Sequence, residues 1–230
     1  RIDDDATRLS SLFSPDSFKV SSDLNGGTSI ERLQFSFQLK RKFGWGSLTA
    51  TTSRQDWELD PSSTDLDLSP LPLGISKVIQ SEELWTQEIR LESTPGSQKT
   101  QWRAGMFYSD SDTEGNAFRQ FMVPPSAFVP PGFVQTERSL YTIGQESLAG
   151  YANLDQPLAA KTTLKFGVRL EHAESAINRT KASSNNFGFP GPQDQPLARS
   201  QDHDFVSASA GLQHPVSDSL SLLARISVAP

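Results

Sequence analysis

The sequence predicts an all-β protein, an antiparallel up-and-down transmembrane β-barrel segment of about 8–10 strands that forms part of a larger barrel. Three observations favour this fold. Apolar residues recur with a period of two, the predicted strands have about 12 residues, and the connections alternate between short and long. No stretch carries apolar residues at helical spacing between a capping residue and a glycine stop. We therefore expect little or no helix.

The period of two is clearest from residue 30 to residue 41. One face of this stretch holds Leu33, Phe35, Phe37 and Leu39, and the residues between them are polar. Such alternation is typical of a strand with one apolar side. The same pattern predicts strands at 84–93, 101–109, 163–172 and 219–228, weaker strands at 47–58, 146–156 and 204–214, and an uncertain pair at about 6–13 and 17–23.

Strand length also agrees with a membrane barrel. About 12 residues at roughly 3.3 Å each, tilted near 45°, rise on the order of 28 Å, close to the height of the apolar band of such barrels. Short turns at one end of the strands and long loops at the other are typical of outer-membrane barrels. Short turns are predicted near 42–44, 95–97, 157–160 and 215–218, and long loops at roughly 60–81, 111–145 and 175–203.

Composition excludes several classes of protein. Only 35% of the 230 residues are AVILMFWYC, which is low for a soluble two-layer domain. The chain carries 21 Lys and Arg against 27 Asp and Glu, a net charge of −6, and no run of five basic residues, so a nucleic-acid partner is excluded. No apolar stretch approaches the roughly 18 residues of a membrane helix. The absence of cysteine excludes disulfides and thiolate metal sites.

Both ends of the chain look cut. The sequence begins at Arg1 without an initiator methionine or a secretory signal, and its last predicted strand runs into Pro230. We therefore expect residues 1–230 to form one partial β-barrel domain, a fragment of a longer protein.

Two pairs of neighbouring strands resemble a known family. The stretch 86–93, TQEIRLES, precedes a short turn and the stretch 102–108, WRAGMFY. Further along, the stretch 147–154, SLAGYANL, precedes a turn and the stretch 164–170, LKFGVRL, which contains a Gly-x-Arg sequence. Both pairs resemble the strand–turn–strand signature of TonB-dependent outer-membrane receptors, and the likeness extends over about 28–228.

This resemblance implies a piece of a barrel of about 22 strands that encloses an N-terminal plug and imports a scarce nutrient with energy passed through TonB. It implies the outer membrane of a Gram-negative bacterium as the location. The implied partners are outer-membrane lipid, the receptor's own plug domain and TonB, both outside this chain, and an iron chelate or another small ligand. The family's plug, TonB box and aromatic C-terminal strand are absent from the sequence, so the fragment alone is not expected to transport anything.

Iron is the family's commonest cargo, so the resemblance favours TonB-energised uptake of an iron–siderophore complex. Nothing in the strands distinguishes this ligand from cobalamin, haem or an oligosaccharide. Two other interpretations stay open on the sequence: a porin-like passive outer-membrane channel, and a secreted β-rich module that binds a surface or a carbohydrate. A plug encoded upstream would exclude the first, and insolubility without detergent would exclude the second.

The candidate ligand-binding residues are aromatic side chains of the predicted long loops, because exposed loop aromatics can stack on a chelate. They are Phe118, Phe121, Phe128, Phe133 and Tyr141. Anchoring at the membrane interface is instead expected of three aromatic residues near strand ends, Trp57, Trp85 and Tyr108.

Charged residues occur in mid-strand on the polar faces, which suits a wet or plugged lumen. The predicted lumen-facing charges are Glu88, Arg90, Arg103, Arg169 and Glu171. The resemblance implies that Arg90 and Arg169 match inward-facing arginines of the family. A functional interpretation of the set is plug docking or passage of an anionic chelate. The alternative, which we favour, is a ladder of ion pairs across neighbouring strands.

The sequence contains no complete motif for catalysis or metal binding. No Gly-x-Ser-x-Gly, Walker A or His-Glu-x-x-His sequence occurs. The stretch 110–115 opens like a calcium loop but has Phe121 where a bidentate glutamate is required. His203 lies between Asp202 and Asp204 without a further ligand at metal spacing. We therefore expect no enzymatic activity, no metal site and no cofactor.

Overall fold

Nine β-strands make up most of the described chain in the computed structural model. The structure describes residues 2–4, 23–67, 71–96, 100–126, 128–158, 161–189, 191, 194–217 and 219–229. The strands within these residues are β1 Ile2–Asp4, β2 Gly27–Phe43, β3 Gly46–Asp65, β4 Gly74–Ser93, β5 Gln101–Met122, β6 Val134–Pro157, β7 Thr163–Asn185, β8 Leu197–Pro215 and β9 Ser221–Val228.

Each strand pairs with its neighbours along the chain, so the strand order in the sheet is β1 to β9 without a crossover. Every pairing is antiparallel. The all-β, antiparallel, up-and-down fold is therefore confirmed, and nine strands fall within the expected range. The uncertain strands at about 6–13 and 17–23 fall almost wholly outside the described residues.

The short turns are confirmed. Strands β2 and β3 are joined by the two residues Gly44 and Trp45, and the other connections at this end span 94–100, 158–162 and 216–220. We call this the short-turn end of the sheet and the opposite end the loop end.

The long loops predicted at the loop end are wrong in extent. The three connections for which long loops were predicted span only 66–73, 123–133 and 186–196. The strands that they join are between 19 residues long, in β8, and 24 residues long, in β6, about twice the predicted length. Towards the loop end both faces of the sheet become polar, so the apolar alternation disappears while the backbone ladder continues.

A proline explains why the end of β3, from about residue 60, was predicted to be part of a loop. Pro61 lies where the register between β3 and β4 shifts, between Leu59 and Ser62. A β-bulge tolerates a residue without a backbone N–H, so the strand continues through the proline to Asp65.

The register assigns the strand residues to two faces, because directly paired residues lie on the same side of a sheet. One face is apolar and exposed, with Phe37 at 70% and Ile89 at 56% exposure, and we call it the outer face. A single row of it crosses seven strands as Leu39, Ala50, Ile89, Met106, Gly150, Leu170 and Val206.

The opposite face, which we call the inner face, is polar and half-buried. Along β4, exposed residues of the outer face alternate with half-buried residues of the inner face. No other part of the described chain covers the inner face, because all the strands belong to one sheet. The half-burial therefore indicates that the sheet curves towards its inner face, as a strip of a barrel wall does.

No packed hydrophobic core forms in the described part of the chain. Ala149, at 1% exposure, is the one buried apolar residue among the described residues. The sheet is held instead by hydrogen bonds between strands and by side-chain contacts along its faces. The described residues include no helix of the length and apolarity that crossing a bilayer requires.

A tyrosine of β6 fills the space over a glycine of β5 on the inner face. Tyr151 lies directly opposite Gly105, and its hydroxyl reaches one strand further to donate to Glu88 Oε1 at 2.6 Å. A β-carbon at Gly105 would lie 2.6 Å from Tyr151 Oη and 2.8 Å from the Ile89 carbonyl oxygen. The glycine therefore allows one side chain to connect three strands.

Candidate ligand-binding site

All five predicted lumen charges lie on the inner face, in its part nearest the short-turn end. Arg90 contacts two glutamates of its own strand, Glu92 at 3.0 Å and Glu88 at 3.6 Å. Arg103 of β5 contacts the same Glu92 across the strands at 2.9 Å. Most of these ion pairs therefore run along a strand, and one runs across.

The charged residues on the inner face of β7 also form an ion pair along one strand. Arg169 contacts Glu171 at 2.9 Å, and the Ser147 hydroxyl donates to Glu171 at 2.7 Å. Three arginines and three glutamates thus form two ion-pair groups, four residues on β4 and β5 and two on β7, which we together call the ion-pair ladder; each member has an opposite charge within 3.6 Å. Because these charges already balance one another, the ladder offers little net field to an anionic ligand. Its members are Glu88, Arg90, Glu92, Arg103, Arg169 and Glu171.

The predicted loop aromatics do not form one group. Phe118 and Phe121 lie within β5 and Tyr141 lies within β6, so their placement in a loop is wrong. The strands extend through these positions because their backbones remain paired. Alternation puts Phe118 on the outer face and Phe121 on the inner face. Phe128 lies in the loop 123–133 and is 95% exposed.

Tyr141 lies on the inner face, where its side chain packs over a glycine of the neighbouring strand. It lies opposite Gly115 and donates to Gln80 Oε1 at 2.8 Å, which repeats the arrangement of Tyr151 ten residues closer to the loop end of the same strand. The ring fills the space that a side chain at Gly115 would need. Its hydroxyl is already hydrogen-bonded, so Tyr141 is a weaker candidate for ligand contact than the sequence suggested.

Phe133 does lie in an aromatic cluster, together with two phenylalanines that the sequence analysis missed. Its ring stacks on Phe187 with centroids 5.9 Å apart and on Phe189 with centroids 6.4 Å apart. Phe187 and Phe189 stack on each other at 6.0 Å, and the three ring planes differ by 7° to 17°. We call Phe133, Phe187 and Phe189 the aromatic platform. It joins the β5–β6 loop to the β7–β8 loop.

Two asparagines hold the platform in place. The Asn185 carboxamide oxygen accepts from the backbone N–H of Phe187 at 3.1 Å and of Phe189 at 3.0 Å. Asn186 joins the two loops, because its side chain donates to the Gly132 carbonyl at 2.9 Å and accepts from the Val134 N–H at 3.0 Å. The rings are therefore positioned before any ligand arrives.

A salt bridge also links the β7–β8 loop to a lysine on the inner face of the sheet. Lys181, on the inner face, contacts Glu137 at 3.2 Å and Asp194 of the loop at 3.8 Å. Phe187 and Phe189 remain 46% and 54% exposed. The loop end thus presents a partly exposed cluster of three nearly parallel aromatic rings that can stack on an aromatic ring or on the C–H face of a sugar.

The sequence does indicate the turn that holds the two missed residues, Phe187 and Phe189. Residues 185–189 read Asn-Asn-Phe-Gly-Phe, in which asparagines that cap a turn come directly before two aromatic residues. Gly188 has a φ of +72°, which glycine adopts without strain. The sequence analysis assigned the whole stretch of roughly 175–203 to a long loop and did not distinguish this turn within it.

Aromatic residues also occur at the short-turn end. Phe43 stacks on Trp45 at 5.3 Å, and Trp45 stacks on Trp102 at 5.9 Å. Of the three expected interface anchors, Trp85 and Tyr108 lie on the outer face. The expectation for Trp57 is wrong, because the register pairs it with Arg32 and Glu82 on the inner face.

The residues considered for metal binding are separated by the sheet. Alternation along β8 puts His203 on the inner face and its neighbours Asp202 and Asp204 on the outer face. The stretch 110–115 is part of strand β5, so it is not a calcium loop.

A cluster of three aspartates lies where β3 meets the β3–β4 connection. Oxygens of Asp23, Asp65 and Asp67 approach within 4.8 Å of one another, a spacing that a hard cation could use. Backbone N–H groups already donate to Asp65 at 3.0 Å and to Asp67 at 2.9 Å, which is the hydrogen bonding of an ordinary turn.

Four carboxylates lie side by side on the outer face, beyond the apolar rows and towards the loop end. The register places Asp110 opposite Glu146, Glu146 opposite Glu174, and Glu174 opposite Asp202. Like charges directly opposite each other destabilise a sheet. His172 of β7 contacts Glu174 at 3.2 Å, which offsets part of this repulsion when the ring is protonated.

Replacing Glu146 by glutamine should therefore stabilise the sheet, by about 0.5 kcal/mol at low salt and by less at high salt. The gain comes from removing one charge that faces two others, and it is measured by urea unfolding of the refolded protein at two ionic strengths. Glu114→Gln is the matched control, because the residues opposite Glu114 are the uncharged Ser81 and Thr142. An equal gain in both variants, or none in either, would contradict the repulsion.

Comparison with known proteins adds one finding. No known protein family and no curated protein matches the sequence. Among solved structures, the fold is similar to the ferric yersiniabactin uptake receptor FyuA from Yersinia pestis, with a TM-score of 0.65 and 15% identity. The match covers 88% of this chain and 28% of that receptor, so the chain spans little more than a quarter of the receptor's length. At this identity the likeness shows the fold alone: the sheet corresponds to a segment of a receptor barrel.

Proposed function

We propose that this chain is part of the barrel of an outer-membrane receptor of the TonB-dependent class. The whole protein would take up a scarce small ligand, with an iron–siderophore complex as the first candidate. The observation that carries the proposal is the part of the outer face nearest the short-turn end, where exposed apolar residues form a surface that crosses the strands on a sheet whose other face is polar. A water-soluble protein rarely exposes such a surface, whereas the wall of a membrane barrel needs one.

The dimensions of the apolar surface support this proposal. On β2 alone the apolar residues of the outer face run from Leu33 to Phe43, interrupted by Arg41, about 25 Å along the axis of a barrel whose strands tilt near 45°. The stacked rings of Phe43, Trp45 and Trp102 lie at one border of this surface, where membrane barrels carry an aromatic girdle. In the proposed orientation the short-turn end faces the periplasm and the loop end faces the outside of a Gram-negative cell.

The other two interpretations fit less well. A secreted binding module would need a second layer over the apolar face, and the described residues supply a single sheet. A porin-like channel would have the same kind of wall, so the fold likeness to an uptake receptor is what favours the receptor. The proposed partners are outer-membrane lipid on the outer face, a plug domain and TonB contributed from outside this chain, and a small ligand at the loop end.

Uptake by the full-length protein tests the proposal. A tagged full-length copy is expressed in a Gram-negative host that lacks its own siderophore receptors. Membrane fractionation then locates the protein, and chelates labelled with radioactive iron measure uptake with and without TonB. We expect the protein in the outer membrane and uptake that disappears without TonB. A protein found in the soluble fraction would contradict the membrane assignment, and uptake that does not depend on TonB would favour the porin-like channel.

The aromatic platform is the proposed contact for the ligand, so its removal should weaken binding. The double substitution Phe187→Ala and Phe189→Ala is expected to lower affinity for the transported chelate about tenfold, because two stacking contacts are lost. Affinity is measured by titration of the purified full-length receptor. Phe43→Ala is the control, since that ring stacks on Trp45 at the short-turn end, at the opposite end of the sheet from the platform. Unchanged affinity in the double variant would exclude the platform as the contact.

A further inference from the structure

A groove crosses four strands on the outer face, beyond the apolar surface towards the loop end. Its walls are two adjacent rows of directly paired residues on β4 to β7, one from Ile79 to Thr180 and the other from Ser81 to Asn178. The volume between the rows is about 460 Å³. We call these two rows the outer groove. It faces away from the lumen, so a plug inside the barrel would not cover it.

The outer groove combines apolar contact with uncharged polar groups. Ile79 and Leu140 are 42% and 47% exposed, so they can contact the C–H face of a sugar ring. The side chains of Thr142, Asn178 and Thr180 are exposed, and within the described residues none of the three has a hydrogen-bond partner. Hydroxyl and amide groups both donate and accept. This mixed lining suits a ligand with many hydroxyl groups.

An asparagine in the middle of the groove is already oriented. Asn116 Oδ1 accepts from Arg138 Nε at 3.1 Å, so the amino group of the same amide is left to donate. Glu114, beside it in the other row, is exposed and carries a carboxylate that can accept from hydroxyl groups. The groove therefore offers a positioned donor and a strong acceptor next to each other.

The height of the outer groove indicates which part of the surroundings reaches it. On β5 the groove begins at Glu114, six residues beyond Tyr108, and on β6 it begins at Thr142, six residues beyond Leu148. Six residues of a strand tilted near 45° rise about 14 Å. The groove would thus face the layer outside the hydrocarbon, at a height that a headgroup of several sugars reaches and a single sugar does not.

The two rows between the apolar surface and the groove disfavour phosphate at that level. On β4 to β7 these rows carry carboxylates and neither lysine nor arginine; the carboxylates are Glu83, Asp110, Asp112, Glu146 and Glu174. Arg54 of β3 contacts Glu83 and balances one of them. A phosphate at this height would face like charges, whereas an uncharged sugar would not.

We propose that the outer groove binds the neutral oligosaccharide headgroup of a glycolipid in the outer leaflet. This inference rests on the proposed location of the barrel in the outer membrane and names the kind of lipid that its outer face selects. The groove lies on the outer face of the strands, apart from the aromatic platform of the loops. It is therefore a contact for a surrounding lipid and not a second contact for the transported ligand.

Binding of defined glycolipids to the purified full-length receptor tests the proposal. The probes are globotetraosylceramide, whose headgroup is a chain of uncharged sugars, glucosylceramide, whose single sugar is too short to reach the groove, and lipid A, which carries phosphate. Each probe is titrated into the detergent-solubilised receptor, and native mass spectrometry measures the bound fraction. We expect globotetraosylceramide to bind at least tenfold more tightly than either of the other two.

A pair of double variants locates the contact. Thr142→Val with Thr180→Val should lower the affinity for globotetraosylceramide about tenfold, since two hydrogen bonds are lost. The matched control makes the same substitutions on the outer face outside the groove, Thr52→Val with Thr136→Val, and should keep the parent affinity. Valine is favoured in strands, so both variants are expected to fold, and membrane fractionation and chelate uptake check this.

The proposal is overturned if globotetraosylceramide does not bind, if glucosylceramide or lipid A binds as tightly, or if the two double variants bind globotetraosylceramide equally. Failure of the proposed function is a different result, since the protein would then be in the soluble fraction or take up no chelate. Failure of this inference alone leaves the outer-membrane location and the uptake intact.

Discussion

Replacing Gly105 by valine is expected to destabilise the folded sheet by about 3 kcal/mol. The new side chain would occupy the space that the Tyr151 ring fills, with its β-carbon 2.8 Å from the Ile89 carbonyl oxygen of the neighbouring strand. Overpacking of this kind costs about 1–3 kcal/mol, and displacing the ring also removes the 2.6 Å hydrogen bond to Glu88. The measurement is the free energy of unfolding in urea of the full-length protein refolded into lipid vesicles.

Gly150 provides the control for this prediction. It lies on the outer face of β6, where an added β-carbon would meet nothing within 4 Å. Gly150→Val should therefore change the free energy of unfolding little. Tyr151→Phe separates the two contributions at Gly105, because it keeps the ring and removes only the hydrogen bond, at an expected cost of about 1.5 kcal/mol. Equal destabilisation by valine at positions 105 and 150 would mean that the tyrosine is not what makes glycine necessary.

The sequence predicted the strands correctly wherever one face is apolar and the other polar. Residues 30–41 and 163–172 show this alternation, and both lie within observed strands. The same alternation assigned Glu88 and Arg169 to the face opposite the apolar residues, and the register places them on that face. Period two reports the difference in polarity between the two sides of a sheet, so it identifies a strand only while that difference lasts.

The extended ends of the strands lack this difference in polarity. Around residues 111–121 both faces of β5 carry polar side chains, and the strand is maintained by backbone pairing with β4 and β6. A single-sequence pattern does not report backbone pairing with a distant segment. The prediction therefore ended the strands at the limit of the apolar surface and assigned Phe118 and Tyr141 to a loop.

The aromatic platform was missed for a related reason. Phe133 and Phe187 belong to different loops and stack only because β6 pairs with β7 in one register. Asn186 then fixes the contact through hydrogen bonds to the neighbouring loop. The turn at 185–189 can be predicted locally, but its stacking partner follows from strand pairing and not from sequence proximity.

Replacing Phe37 by arginine is expected to destabilise the membrane-inserted protein by about 2–4 kcal/mol. Phe37 lies on the outer face of β2 at 70% exposure, and a charge at this depth of the apolar surface would face lipid. Gln38→Arg should have little effect, because residue 38 lies on the inner face opposite Thr51. Both variants are compared with the parent full-length protein by urea unfolding from lipid vesicles.

Arginine at position 37 would also harm a soluble protein that buried Phe37 under a second layer, so two further measurements decide between lipid and protein contact. Phe37→Leu should be tolerated in the membrane, since lipid adapts to a change of side-chain shape, whereas a close-packed interior would be disturbed by it. A nitroxide label at position 37 should collide with oxygen dissolved in lipid, and a label at position 38 should collide with a water-soluble quencher. Equal access of both quenchers at the two positions would remove the alternation of faces, and with it the basis for placing this sheet in a membrane.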